Sequence, residues 1–213
     1  MSHLLLVGGG HSHALLLRQW AMRPSKRPAV EAITLVSVQP TSLYSGLIPA
    51  CLSGSVAPEA CVLDVWDLCR AAAVSFIQAT VTGLDTANRQ LSLTGDRPPL
   101  SYDWLSLNLG AEVRAPKRPG CLPIKPLEPA LAALAALPIG AAVRVVGSGP
   151  AAVEVSLALA ARGFVVSLSG QPERAFWQGF HGALRAAGVE LDSVAQSCDL
   201  ELELHCTGSW GPG

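Results

Sequence analysis

Two short glycine stretches carry the residue types most able to do chemistry. In "VGGGHSHALLL" (7–17), Gly8 and Gly10 stand two apart and His13 follows three later, with His11 between. In "VGSGPAAVEV" (146–155) the same spacing selects Gly147, Gly149 and Ala152. This spacing suits a pyrophosphate cradle. The first glycine permits a tight bend, the second lets backbone approach phosphate, and the third lets a helix pack closely on a strand. The helix N-terminus then turns free N–H groups and a positive dipole end toward the anion. Gly147-x-Gly149-x-x-Ala152 fits, because alanine is accepted at the third position. The first turn departs, with an imidazole where the smallest residue belongs.

The partners of these turns also depart from the pattern. An acid at the end of the second strand normally binds a ribose hydroxyl. Ser37 and Ser169 stand there instead, and Glu31 sits at the wrong end of its strand. Serine still offers a hydrogen bond, without charge. Loss of the acid at the second turn removes repulsion toward a 2′-phosphate, but Arg174 comes only five residues later, so NADH versus NADPH stays open. His11 and His13 could join His3 on a metal or act in acid–base chemistry. H-x-H has no carboxylate or thiolate nearby in sequence, so no metal is expected, and a helix N-terminus favours neutral imidazoles. Glu154 could simply favour the first turn of its helix. Tyr44 suits a place near a ring system or ordinary packing. Cys51 is either a redox thiol or a small loop residue, and Trp66 and Trp104 are expected in the core.

These residues need elements to position them. Residues 3–7 read as a buried strand, 12–22 as a helix and 32–38 as a second strand, which makes a βαβ unit. Strand, glycine turn, helix and strand recur over 141–170, so the chain holds two copies of one unit. Residues 39–60 form a long Pro/Ser/Gly-rich loop, a length associated with function. Helices are expected at 63–73, 128–137 and 180–191. Strands that turn at 86–88 are expected over 74–95, with further strands at 103–111 and 199–208. Residues 115–126 hold four prolines and read as a linker.

The totals agree with an α/β protein. The chain has 213 residues, half hydrophobic and 15% charged, with a net charge of −1. That gives no electrostatic case for nucleic acid or an anionic membrane. No uninterrupted apolar run reaches the roughly 20 residues of a membrane span. Six cysteines form neither C-x-x-C nor C-x4-C, so buried reduced thiols and a cytoplasmic setting are expected, with peripheral membrane contact left open.

The two turns, "YSGLIP" (44–49) and Glu154 together resemble the FAD-dependent pyridine nucleotide-disulfide oxidoreductase superfamily, in its type II NADH dehydrogenase-like branch. "VGGGHSHALLL", "ITLVSVQPTSLYSGLIPACLSG" (33–54) and "IKPLEPALAAL" (124–134) further resemble the flavoprotein module associated with selenide, water dikinase. The resemblance covers residues 4–208. It implies two Rossmann-like three-layer units: an FAD-binding domain (1–114) and an NAD(P)-binding domain (115–213) inserted in it, with the final part of the first missing.

By position, Gly8, Gly10, His11 and His13 would hold the FAD pyrophosphate, and Ser37 the adenosine ribose. Tyr44, Ser45, Gly46 and Pro49 would line the isoalloxazine, Val81 the adenine, and Gly110 would close the flavin domain. Gly147, Gly149, Ala152 and Ser169 would hold NAD(P)H. Glu154 would lie near the nicotinamide, Lys125 near the flavin, and Gly208 where the chain returns to the first domain. Tyr44, Glu154 and Lys125 are the catalytic candidates.

The implied reaction passes hydride from NAD(P)H to flavin and on to a quinone-like or other small acceptor. No disulfide relay is expected. The alternatives are a non-catalytic nucleotide-binding remnant or partner domain of a selenophosphate-forming enzyme, and a thiol sensor built on Cys51.

Overall fold

The structure is a computed structural model that describes residues 2–170, 179–192, 200–207 and 209–210. The chain folds as two units. One comprises Met1–Ser45 and Cys61–Gly110, the other Gly46–Ala60 and Ala111–Gly213.

The first unit is built on a parallel sheet of β1 (His3–Val7), β2 (Ala32–Ser37), β5 (Ser75–Gln78) and β9 (Trp104–Leu107), in the order β5-β2-β1-β9. Strands buried on both faces should read as continuous apolar runs, and "LLLV" does. Side chains alternate between the faces. Leu6, Ile33 and Leu35 pack with Leu17 and Trp20 of α1 (His11–Met22) and with Val65 and Cys69 of α3 (Val65–Ala71). Leu5, Val7 and Val36 pack with Leu91 and Leu93 of an antiparallel sheet made by β6 (Val81–Asp85), β7 (Gln90–Leu93) and β8 (Leu100–Ser101). The result is three layers around the sheet. Helix α1 buries His13, Ala14, Leu17 and Trp20, one stripe at helical spacing. Asp64 caps α3, its Oδ1 accepting the Asp67 N–H at 2.7 Å. The preceding residues pair instead as β4 (Val62–Asp64) with β3 (Thr41–Leu43).

In the second unit the parallel sheet runs β11-β15-β12-β13-β14. Its strands are β11 (Cys121–Pro123), β12 (Ala142–Val146), β13 (Val165–Ser169), β14 (Glu190–Asp192) and β15 (Leu202–His205). Helix α5 (Pro150–Arg162) packs on β12 and β13, and α4 (Leu127–Ala136) on β11 and β15. The short helix α2 (Ile48–Leu52) belongs to this unit and packs against α5. A short antiparallel pair joins β10 (Glu112–Val113) to β16 (Ser209–Trp210).

Three expectations are corrected. Trp66 and Trp104 are exposed, at 45% and 63%. Trp66 lies on the outer face of α3 beneath the Arg70 guanidinium, 5.0 Å from its ring centre, and Trp104 sits on the edge strand β9. The helix expected over 180–191 stops after six residues, as α6 (His181–Ala186). Gly188, at φ +75°, turns the chain into β14. The supposed linker 115–126 contains β11. Proline is tolerated there because β11 is the sheet's edge.

Candidate functional site

The two glycine turns are built on one plan. After β1, the Gly8 N–H donates to Val36 O at 2.8 Å, and the Asn108 N–H donates to Val7 O at 2.8 Å. After β12, the Gly147 N–H donates to Ser169 O at 2.8 Å, and the Cys206 N–H donates to Val146 O at 2.7 Å. In each unit the residue just beyond the fourth strand of the motif therefore lies beneath the first glycine. A Cβ on Gly8 would collide with the Asn108 carbonyl, and one on Gly147 would lie 2.7 Å from Cys206 O. Gly8 is also at φ +93°, where a side chain is strained.

The second glycines differ. A Cβ on Gly10 would meet the Asn108 amide at 2.7 Å, so the chain itself demands glycine there. Gly149 has an ordinary extended backbone (φ −93°, ψ 177°), and a Cβ there would meet nothing within 4 Å. Among the described residues, none fills the space beside Gly149. Both turns lead into helices, α1 and α5, whose glycine N-caps supply no side-chain hydrogen bond and whose first turns carry no acid. Their N-terminal N–H groups suit an anion. Asn108 Nδ2, beside Gly10, is a buried donor with no hydrogen-bond partner among the described residues.

His13 is 3% exposed and lies inward. Its Nδ1 is 2.7 Å from Gly8 O and its Nε2 is 2.9 Å from Ser106 Oγ. A carbonyl only accepts, so Nδ1 carries the proton and Nε2 accepts from the serine. Burial holds the imidazole below its ordinary pKa, against the opposing pull of the Gly8 carbonyl. Both ring nitrogens are thus engaged within the protein, which leaves only the backbone N–H of His13 for a ligand. His11 is exposed at the start of α1 and stacks on Tyr44, with ring centres 4.9 Å apart and planes 28° apart. His3, at the far end of β1, bonds Thr34 Oγ1 and Ser101 O. The three histidines are not brought together.

The first turn gathers Gly8, Gly9, Gly10, His11, Tyr44, Ser37 and Asn108. Ser37 Oγ lies 3.1 Å from where a Gly9 Cβ would be. Val81, the first residue of β6, is half-buried and packs against the core of Leu5, Val7 and Val36. Ser45 is exposed. Gly110, at φ +78°, has open space on its Cβ side. In the second unit, Ala152 is fully buried at the position equivalent to His13. Ser169 ends β13, and Glu154 and Lys125 are exposed. Gly46 and Pro49 fall in this unit, in and beside α2. Cys51, on α2, is 3% exposed, which shields its thiol from an oxidant. Gly208, Arg174 and Cys198 lie outside the described residues.

One cluster escaped the sequence reading. Glu203 of β15 lies in register with Cys121 of β11 and Arg144 of β12. Its Oε1 accepts from Cys121 Sγ at 3.0 Å, His205 Nε2 at 2.7 Å and Arg118 Nη2 at 2.9 Å, while Arg144 Nη1 lies 3.7 Å from Oε2. Burial alone would raise the Glu203 carboxyl, but the Cys121 and His205 hydrogen bonds and the Arg118 charge together hold it below its usual value. Burial and then Glu203 raise the Cys121 thiol. The available signal was "ELELH" (201–205), whose alternating acids mimic a solvent face inside a parallel sheet that should be apolar.

No protein-family model and no curated protein sequence matches the chain. Solved structures do resemble it. A ferredoxin reductase from Rhodopseudomonas palustris superposes with TM-score 0.76 at 19% identity, over 98% of this chain and 59% of that one. The water-forming NADH oxidase from Lactobacillus brevis, bound to NADH, gives TM-score 0.71 at 20% identity over 98% and 54%. The sulfide:quinone oxidoreductase of Aquifex aeolicus gives 0.70 at 13% over 100% and 60%. The chain therefore spans little more than half the length of these structures. At these identities the likeness establishes the fold alone, a pair of α/β units built on parallel sheets.

Proposed function

We propose that the chain binds FAD at the first turn and NAD(P)H at the second, as an oxidoreductase that passes hydride from NAD(P)H to flavin and on to a small acceptor. The observation that carries this reading is Gly149, a glycine whose Cβ side no described residue occupies, at the N-terminus of α5. The likeness to an NADH oxidase bound to NADH supports it.

The residues fit both groups. At the first turn, the N–H groups that open α1 would receive the FAD pyrophosphate, with the Asn108 amide as a further donor. The Ser37 hydroxyl would take the ribose and Val81 the adenine side, and Gly110 would close the site. The His11–Tyr44 stack would meet the ring system, and the resemblance adds Ser45, Gly46 and Pro49 to its lining. The His13 Nδ1–H donates to the Gly8 carbonyl and so fixes the backbone of the turn. At the second turn, Gly147, Gly149 and Ala152 would cradle NAD(P)H, with Ser169 at the ribose and Glu154 toward the nicotinamide. Lys125 would lie toward the flavin. The flavin, when bound, supplies the hydride and electron chemistry. The finer reading is a quinone-like acceptor and a selenide, water dikinase partner. It rests on sequence resemblance alone.

Purified chain should be yellow or become so with added FAD, and NADH or NADPH should bleach it without oxygen. Gly149→Ala should keep the colour and lose the bleaching. A folded chain that takes up neither cofactor at micromolar concentration refutes the reading.

A further inference from the structure

The buried cluster in the second unit is separate in chemistry from the glycine turns. We propose that Cys121, Glu203 and His205 form a binding site for a zinc-class divalent cation, completed by water from the adjoining cavity.

Four observations carry this. First, one thiol, one carboxylate and one imidazole form a donor set of sulfur, oxygen and nitrogen that zinc takes up, and their ligand atoms lie within 4.8 Å of one another. Bonds of about 2.0–2.3 Å in a tetrahedron place neighbouring donors roughly 3–4 Å apart, so only small movements are needed. Second, the ligands sit on paired strands. Cys121 is in register with Glu203, and His205 follows two residues along the same strand face.

Third, the charges exchange evenly. Arg144, 4% exposed, lies on Glu203 Oε2 and can stay there, leaving Oε1 to the cation. Arg118 holds Oε1 from a side chain that is 60% exposed, so it can swing into solvent. Binding releases the Cys121 thiol proton to water and displaces one guanidinium. Two positive charges leave the buried site and two arrive. His205 gives up its Nε2 proton and takes one on Nδ1, so the imidazole stays neutral. Fourth, Cys121 lines a cavity of about 650 Å³ with residues including Arg118 and Pro123, which gives water access to a fourth coordination position.

The test uses the full chain, reduced, stripped with a chelator and dialysed. One Zn²⁺ per chain should be retained after further dialysis. Co²⁺ should give tetrahedral d–d bands and a thiolate charge-transfer band. Cys121→Ser should abolish both zinc retention and the charge-transfer band. Arg118→Ala, which removes an exposed competitor, should tighten zinc binding about two- to fivefold. Absence of stoichiometric zinc overturns the proposal, as does zinc retained by a folded Cys121→Ser chain. If Cys121→Ser does not fold, an unmutated cobalt spectrum without thiolate charge transfer, or an Arg118→Ala chain with unchanged affinity, overturns it instead.

Discussion

Replacing His13 by alanine gives the first turn the third residue of the second turn, and the structure predicts that this destabilises the protein. The imidazole makes hydrogen bonds of 2.7 and 2.9 Å to Gly8 O and Ser106 Oγ, in a site where the residue is 3% exposed. Each bond contributes roughly 0.5–1.5 kcal/mol net, and deleting the ring leaves a carbonyl and a hydroxyl without it. A cavity cost adds about 1 kcal/mol, and alanine's better helix propensity returns at most about 0.7. The expected loss is between about 1.3 and 4 kcal/mol at pH 8.

The pH dependence is a sharper mark. The folded state keeps the ring neutral, below its ordinary value of 6.5. As pH falls through 6.5 the unfolded chain binds a proton that the folded chain resists. His13's contribution is therefore present above that value and declines below it, by up to about 1.4 kcal/mol per pH unit, until the folded ring protonates. Urea denaturation followed by fluorescence at pH 8, 7, 6 and 5.5 should show the gap between the two proteins narrowing with acid. A gap below about 0.5 kcal/mol at pH 8, or one that stays constant across this range, refutes the packed, neutral His13.

Three further outcomes are expected. Gly149→Ala should leave the urea midpoint within about 0.5 kcal/mol of the parent while lowering NAD(P)H affinity at least tenfold by titration, whereas Gly8→Ala should express as insoluble or unfolded protein, because its Cβ meets backbone. Glu203→Gln should cost about 3–5 kcal/mol, since it strips the carboxylate from the buried Arg144, whereas Arg118→Ala should cost less than about 1 kcal/mol; paired denaturation curves measure both. A double-mutant cycle on His11→Ala and Tyr44→Ala should return a coupling of about 0.5–1.5 kcal/mol, which checks the stack.

The repeated motif was legible because periodicity and glycine spacing are local properties. "LLLV" and "AVRVV" are strands in any context that buries both faces, and the helices after them begin at the glycines that free them. Helix α1 begins at His11, one residue before the expected start. What stayed hidden depends on partners distant in sequence. Nothing around Asn108 announces that its amide will lie beneath Gly10. Cys121 and Glu203, 82 residues apart, meet only because β11 pairs with β15. The proline ending β11 masked that strand. The inward turn of His13 was equally hidden, since its two partners lie 5 and 93 residues away.

The division of the chain has a consequence for how it is made. Residues 46–60 belong with 111–213, yet they leave the ribosome ahead of most of the first unit. Helix α2 emerges roughly a hundred residues before α5, which at about 5–20 residues per second leaves its apolar side waiting for several seconds to tens of seconds. The first unit, by contrast, can close once residue 110 has emerged, around a loop still without its partner. A single cut after Gly110 therefore yields one fragment carrying a surplus apolar helix and another lacking it. Expression of either half alone should favour aggregation, and synthesis of the intact chain is the step most exposed to it.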